Sequence, residues 1–438
     1  MPAVGHVNPF QPLAAALIQG GHEVVWLTTE SFRALVEQSG ATFAPMKRTP
    51  DFEEIPIQPD DEDSSSSSSS GGLSAAVSIM RRLFIDRIEG QVADYQEVLR
   101  TFLADALVVD MCSLGAHTLR DLGGPVYATV GINPLVTPDP EIPPWGAGTM
   151  PPQTMFGRLL NRLTHFIGSL LFDPKVMHLI NVKRALFHLP PLPSGVRFDS
   201  VLRSSALHIM PTTLAFEYPR RNLSPQIRFV GPLLPLLPDS FETPTWWPSI
   251  ATPSPPKKTV IYVTQGTYAN TPTNLILPTI RALSANESVI VIVTTGPTTL
   301  SVDPLPTNVY VANYIHHFYL LPHVDLMITN GGYNGVLSAL SYGIPLICAG
   351  RSEDKADVSA RVAWSGVGID LRTDNPTDDM IKGAVEKILM DGSYNENAER
   401  IKQSFKSHDS AREGCLLLER LVDDENPTIV TRVPQFTD

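Results

Sequence analysis

The sequence predicts an α/β protein of two doubly wound halves, each a parallel sheet with helices on both faces. Three observations carry that reading. Short apolar runs of strand length alternate with stretches of helical periodicity, the alternation occurs twice, and a proline-rich segment separates the two series. A chain of 438 residues is also too long for one compact core at roughly 100–200 residues per domain. The expected boundaries are 1–235 for the first half, 236–258 for the linker, 259–408 for the second half and 409–438 for a C-terminal helix and tail.

In chain order, Ala14–Gly20 reads as a helix and His22–Thr28 as a buried strand, with Gly20-Gly21 breaking between them. Residues 60–72, with seven consecutive serines, are low-complexity and read as a surface loop. Ala75–Leu103 has helical periodicity, and Ala106–Asp110 is a buried strand ending on a carboxylate. A helix over Ser113–Leu122, the strand Val126–Val130 and a Pro/Gly loop at 131–155 follow. The apolar-rich helices of 156–188 are expected to pack on the core or wall a hydrophobic pocket, with a membrane-surface helix as the alternative. Leu207–Met210 and Ile227–Val230 read as strands. The second series has strands at Val260–Val263, Ser288–Val293, Val309–Val311, Asp325–Ile328 and Pro345–Cys348. Thr377 starts one late helix, and Ser410-x-x-Glu413 has the capping-box pattern for the last.

Composition narrows the function. Against 45 Asp and Glu stand 33 Lys and Arg, a net charge of −12 with no basic cluster, which argues against a nucleic-acid ligand. The three cysteines, Cys112, Cys348 and Cys415, are far apart and make neither a disulfide scaffold nor a cysteine zinc site. No apolar run approaches the ~20 residues of a membrane span, and the first residues lack the pattern of a signal peptide. The expectation is a cytoplasmic protein without a transmembrane anchor, a monomer, needing no cofactor.

Chemistry concentrates after the strand ending at Ile328. Thr329-Asn330-Gly331-Gly332-Tyr333-Asn334-Gly335 lets a backbone approach a ligand closely, and the following helix points its free N–H groups at the same place. Glycines flanked by Asn330 and Asn334 suit a phosphate better than an ordinary strand-to-helix turn does.

The run from Ile328 to Leu371 resembles the C-terminal signature of the family 1, UDP-dependent glycosyltransferases of the GT-B fold, two Rossmann-like domains facing each other across a cleft. That pattern is His-Gly-Gly-x-Asn-Ser-x-x-Glu-Ala-Leu-x-x-Gly-x-Pro, then Asp-Gln. Gly331, Gly332, Asn334, Ala339, Leu340, Gly343 and Pro345 hold their places, and Asp354 falls where the family's Asp bonds sugar hydroxyls. Val263-Thr264-Gln265-Gly266-Thr267 is similar to the strand and turn under the pyrophosphate. The segment from Asn313 to His323 resembles the one that stacks on uracil, implying donor contacts at Tyr314, Ile315 and His317. Asn330 replaces the phosphate-binding His, Gly335 the Ser, Ser338 the ribose-binding Glu, and Lys355 the Gln after the Asp. Lys355 is expected either to bond a sugar group or only to pair with Glu353 or Asp354.

Gly5-His6-Val7-Asn8-Pro9 looks like the family's Gly-His-x-x-Pro loop, whose His is the general base, and Asp110 stands where its partner Asp stands. No Asp-x-Asp appears in the donor segments, so a metal-independent transfer is expected. The implied partners are a nucleotide-sugar donor and a small lipophilic acceptor such as a secondary metabolite, phenol or sterol. The implied reaction inverts the anomeric centre. A non-catalytic nucleotide-binding relative is the alternative, supported by the departures at Asn330, Ser338 and Lys355. Family members carry an apolar strand before the Gly-His loop; here Met1–Val4 alone precede Gly5, so a gap in the first sheet is expected unless the start lies upstream.

Overall fold

The computed structural model describes residues 2–50, 72–238, 240–252, 255–266, 271–296, 298, 300 and 302–425. The serine-rich run, apart from Gly72, lies outside the described residues.

The first half opens with a single helical turn at Val4–Val7 and helix α1 (Phe10–Gln19), which ends where Gly21 takes φ +87°. Strands β1 (Val25–Thr28) and β2 (Thr42–Pro45) pair in parallel. Helices α2 (Gly72–Met80) and α3 (Ile88–Leu99) come next, divided by a π-helical turn at Arg81–Ile85 that breaks the single helix expected there. Then come β3 (Ala106–Asp110), α4 (Leu114–Asp121), β4 (Val126–Val130), α5 (Met155–Leu171), α6 (Asp173–Leu186), β5 (Leu207–Met210) and β6 (Ile227–Phe229). Strands β3 to β6 form one parallel sheet in chain order. Among the described residues no strand joins that sheet to the β1–β2 pair. Burial follows the division: β4 is buried throughout, whereas Val25–Leu27 of β1 and Ala106–Val108 of β3 are half-buried.

In the second half the strands are β7 (Thr259–Thr264), β8 (Val289–Thr294), β9 (Val309–Ala312), β10 (Leu326–Thr329), β11 (Leu346–Cys348) and β12 (Gly368–Asp370). Their sheet order is β12-β11-β10-β7-β8-β9, all parallel. The chain starts in the middle, builds to one edge, then returns beside its first strand and builds to the other. A crevice therefore opens at the carboxyl ends of β7 and β10, where the order reverses. Helices α7 (Ile276–Leu283), α8 (Tyr333–Ser341), α9 (Lys355–Trp364), α10 (Asp378–Met390), α11 (Ser393–Lys406) and α12 (Ser410–Glu425) complete the chain.

The cap of α12 differs from the expected box. Glu413 reaches back to the Asp409 N–H at 3.1 Å and to His408 Nδ1, so the reciprocal cap is built on Asp409 rather than Ser410. That helix crosses back to the first half. Leu418 and Leu421 join Leu13, Ala128 and Ile209 in one apolar cluster, and Gly414 lets Leu13 approach so closely that a Cβ would stand 2.8 Å from it.

Helix α5 departs from the expectation of core packing. Two of its polar side chains turn inward: Asn161 Nδ2 donates to the Pro140 and Ile142 carbonyls and His165 Nε2 meets the Ile142 carbonyl. The apolar stripe consequently faces outward, with Phe156 76% and Phe166 62% exposed. Among the described residues no helix is long and apolar enough to cross a membrane.

Candidate active site

Register places the first group of site residues. Thr264 of β7 lies opposite Thr329 of β10, so the turns after both strands begin side by side. Gly266 takes φ +72° and Gly331 φ +86°, conformations that a residue with a Cβ rarely adopts. Asn330, buried at the switch point, donates its side-chain N–H to the Gln265 carbonyl and ties the two turns together. Space also demands glycine here. A Cβ on Gly331 would stand 2.7 Å from Ser359 Oγ, and one on Gly350 would overlap the Asn330 carbonyl. Gly332 caps α8 with no side-chain hydrogen bond, which leaves the first-turn N–H groups directed into the crevice. Gly335 lies in that first turn region, while Ser338 is buried deeper along the helix. Thr267 lies outside the described residues.

Beside this crevice Tyr314 holds a ring 72% exposed, free to stack on a planar base. Ile315 goes into the core instead, so its side chain is withdrawn from the site. His317 packs edge-on against Tyr262 with ring centroids 5.8 Å apart, and burial together with neighbouring His316 pushes its pKa down to about 4. It is a neutral imidazole near pH 7, able to donate and accept. On the far side, Glu353 takes φ +55° and sets Asp354 at the N-terminus of α9. Burial drives the Asp354 carboxyl up to about 7, against the pull of Lys355. Lys355 itself is buried and forms an ion pair with Glu353, with Ser352 Oγ at 3.4 Å from its Nζ.

The second group belongs to the first half. Strand β3 delivers Asp110 into a buried position where its Oδ1 accepts the Cys112 N–H at 2.7 Å and the Ser113 hydroxyl at 3.2 Å. Its Oδ2 faces His6 Nδ1 at 3.4 Å, long for a hydrogen bond but correctly directed. Burial favours the neutral acid, yet the hydrogen bond to His6 helps to hold its pKa below the usual carboxylate range. The two groups of residues meet directly: Asn334 Nδ2 donates to the Gly5 carbonyl at 2.6 Å. His6 lies in the helical turn Val4–Val7 rather than in the expected loop, and that turn rests on the first turn of α8.

Other histidines have local partners. His22 pairs with Glu419 at 2.9 Å, His208 with Thr129 at 2.7 Å, and burial lowers the His208 pKa to about 3. Among the described residues His6, Asp110 and Cys112 bring potential metal-ligand atoms within 4.8 Å of one another, as do His22, Cys415 and Glu419. Sequence reasoning missed a buried network between the halves. Arg361 of α9 donates through Nε, at 2.8 Å, to Glu217, which follows β5, and Asp357 of α9 accepts the Gly146 and Gly148 N–H groups. The available signal was the i, i+4 spacing of Asp357 and Arg361 on a helix that buries both.

A doubly wound nucleotide-type crevice on one half, touching a His–Asp pair on the other, defines a two-half transferase of the GT-B class. Comparison with known proteins agrees. Residues 278–421 match the family model described as "Erythromycin biosynthesis protein CIII-like, C-terminal domain". The chain is 36% identical over 421 residues to 4'-demethylrebeccamycin synthase of Lentzea aerocolonigenes, covering 96% of this chain and 98% of that one. It is 29% identical over 434 residues to UDP-glycosyltransferase 2 of Phaeomoniella chlamydospora, covering 94% and 92%. Among solved structures, CalG4, the calicheamicin glycosyltransferase, superposes with a TM-score of 0.73 at 19% identity over 97% of each chain, a likeness of fold. The chain belongs to family 1 of the GT-B glycosyltransferases, and it is a sugar-transferring enzyme.

Proposed function

We propose that the enzyme moves a sugar from a UDP-linked donor to a hydroxyl of a small lipophilic acceptor, with inversion, and that His6 is the general base. The observation that carries this reading is the placement of the His6–Asp110 pair against α8 through the Asn334–Gly5 hydrogen bond. Nδ1 of His6 faces Asp110, which leaves Nε2 to accept the acceptor's proton. The freed oxygen attacks the anomeric carbon as the bond to the diphosphate breaks, and Asp110 stabilises the imidazolium that forms. The diphosphate leaves toward the first-turn N–H groups of α8 beside Gly266, Asn330, Gly331 and Gly332, which oppose its charge. Tyr314 stacks on the base, with the Ile315 backbone and His317 at its edge, and Asp354 accepts from sugar hydroxyls. Relatives named UDP-glucosyltransferase, 26–28% identical over at least 93% of this chain, support a UDP donor.

The test is incubation with UDP-sugars and a panel of phenols, flavonoids and sterols, following glycoside mass and nucleotide release together. One UDP per glycoside is expected. Nucleotide binding without turnover on any pair would overturn the reading in favour of a non-catalytic binder.

Asp354 gives the donor site a pH dependence. Below about pH 7 its carboxyl is protonated in the free enzyme, so kcat/KM for the donor falls as pH drops through that value. A pH profile of donor kcat/KM checks this, and Asp354→Asn is expected to flatten it. The sign for stability is opposite to that of a paired carboxylate. The fold binds this proton more tightly than the unfolded chain does, so the group's contribution declines as pH rises toward 7.

Lys355 is engaged by Glu353. Lys355→Gln is therefore expected to leave the ratio of kcat/KM values for UDP-glucose and UDP-glucuronate unchanged, and a shifted ratio would show that its charge reads the sugar.

A further inference from the structure

The loop 131–154 of the first half is bound along its length to α9 and to the residues α9 holds. Asp357 takes the Gly146 N–H on Oδ2 at 2.6 Å and the Gly148 N–H on Oδ1 at 2.8 Å, both charge-assisted. Gly148 takes φ +57° and lies so close to α9 that a Cβ there would stand 2.5 Å from Ala356 Cβ. Near the start of the loop, Glu217 Oε2 accepts the Leu135 N–H at 3.0 Å, and Arg220 donates to the Leu135 carbonyl at 2.7 Å. Arg361, one turn beyond Asp357, donates to Glu217 and covers the Tyr218 ring at 4.1 Å, while the Tyr218 hydroxyl reaches the Thr149 carbonyl at 3.3 Å. The same helix carries Asp354 at its N-terminus, one turn before Asp357.

These contacts join two parts of the reaction that the sequence keeps more than 200 residues apart. One is the helix end that holds the donor sugar. The other is the loop that leads into α5 on the half carrying His6, where the proposed function seats the acceptor. We propose that Asp357 is a positioning residue that fixes loop 131–154 against the donor-binding end of α9, so that an acceptor hydroxyl rather than water meets the anomeric carbon. The inference rests on the donor role of Asp354 given above and adds the coupling between the two substrates.

Loosening the loop opens a competing reaction. Water attacks the anomeric carbon, its oxygen forms the new bond, the bond to the diphosphate breaks, and the water's proton passes to His6 and then to solvent. The products are free sugar and nucleoside diphosphate. Asp357 touches neither reacting atom in this scheme. It acts through the two N–H groups it holds.

The experiment compares wild type with Asp357→Ala, measuring the acceptor KM, the donor KM and the ratio of UDP released to glycoside formed. Asp357→Ala is expected to raise the acceptor KM by about tenfold or more, to leave the donor KM nearly unchanged and to lift the ratio well above one. Asp357→Asn keeps one acceptor oxygen and is expected to fall between the two. Should Asp357→Ala fail to fold, Asp357→Asn and Gly148→Ala, which pushes the loop off α9 from the other side, carry the same expectation. A purely structural role would lower the melting temperature and total activity while the ratio stayed at one. That result, or an unchanged acceptor KM in every folded variant, overturns the proposal. Absence of transfer by wild type itself would instead overturn the reading of function on which it rests.

Discussion

Replacing His6 with alanine is expected to remove transfer and to leave donor binding in place. The imidazole is the one group of the Gly5–Pro9 segment directed at Asp110, and general-base contributions of this kind are worth about a hundred- to ten-thousandfold in rate. Nothing in the α8 crevice depends on the ring, because Asn334 holds this segment through the Gly5 carbonyl rather than through His6. The UDP affinity of His6→Ala, measured by calorimetry, is therefore expected to match wild type while kcat collapses. Asp110→Asn should lose rate as well, since an amide neither stabilises the imidazolium nor enforces the Nδ1–H tautomer. Retained transfer by His6→Ala would remove the general-base assignment. Parallel loss of UDP binding would show instead that the segment had unfolded.

The largest expected effect on stability falls at Glu217. Its side chain is 1% exposed and accepts from Arg361, from Arg220 at 3.2 Å and from the Leu135 and Tyr218 N–H groups. Burial raises its pKa, but Arg361 and Arg220 outweigh that and hold the carboxyl below the ordinary range. Glu217→Ala leaves two buried guanidinium groups facing each other without the carboxylate they share, a change that costs about 3–5 kcal/mol. The midpoint of denaturant unfolding reads this loss. A cost near zero would mean that water reaches the arginines and that the two halves are not joined there. The same linkage has a pH sign. The carboxylate's contribution is present above the ordinary glutamate value of 4.5 and is lost as pH falls below it.

Much of the second half was legible in the sequence, for a physical reason. Strands β7 and β8 are buried on both faces, so they read as continuous apolar runs, and Gly331 and Gly343 take positive φ at the turns around α8. In the first half, a carboxylate at the end of β3 and a His in an early Gly-His loop were visible as candidates, and the fold brings them to 3.4 Å. Two kinds of feature were not legible. Helix α5 shows the periodicity of an amphipathic helix, but periodicity cannot say which face turns outward. That was decided by the Pro140 and Ile142 carbonyls, which need Asn161 and His165 as donors. The network of Glu217, Asp357 and Arg361 joins residues 144 to 211 apart, and the sequence shows only the i, i+4 spacing of Asp357 and Arg361, not the distant partners they find.

The central claim is a single in-line displacement by a hydroxyl that His6 activates. The anomeric configuration of the product tests it most directly. With α-linked UDP-glucose as donor, proton NMR of the purified glycoside should show the large H1–H2 coupling of a β-glucoside. An α-glucoside would contradict the account, because retention requires a second displacement or a different route for the nucleophile than the one His6 and Asp110 define.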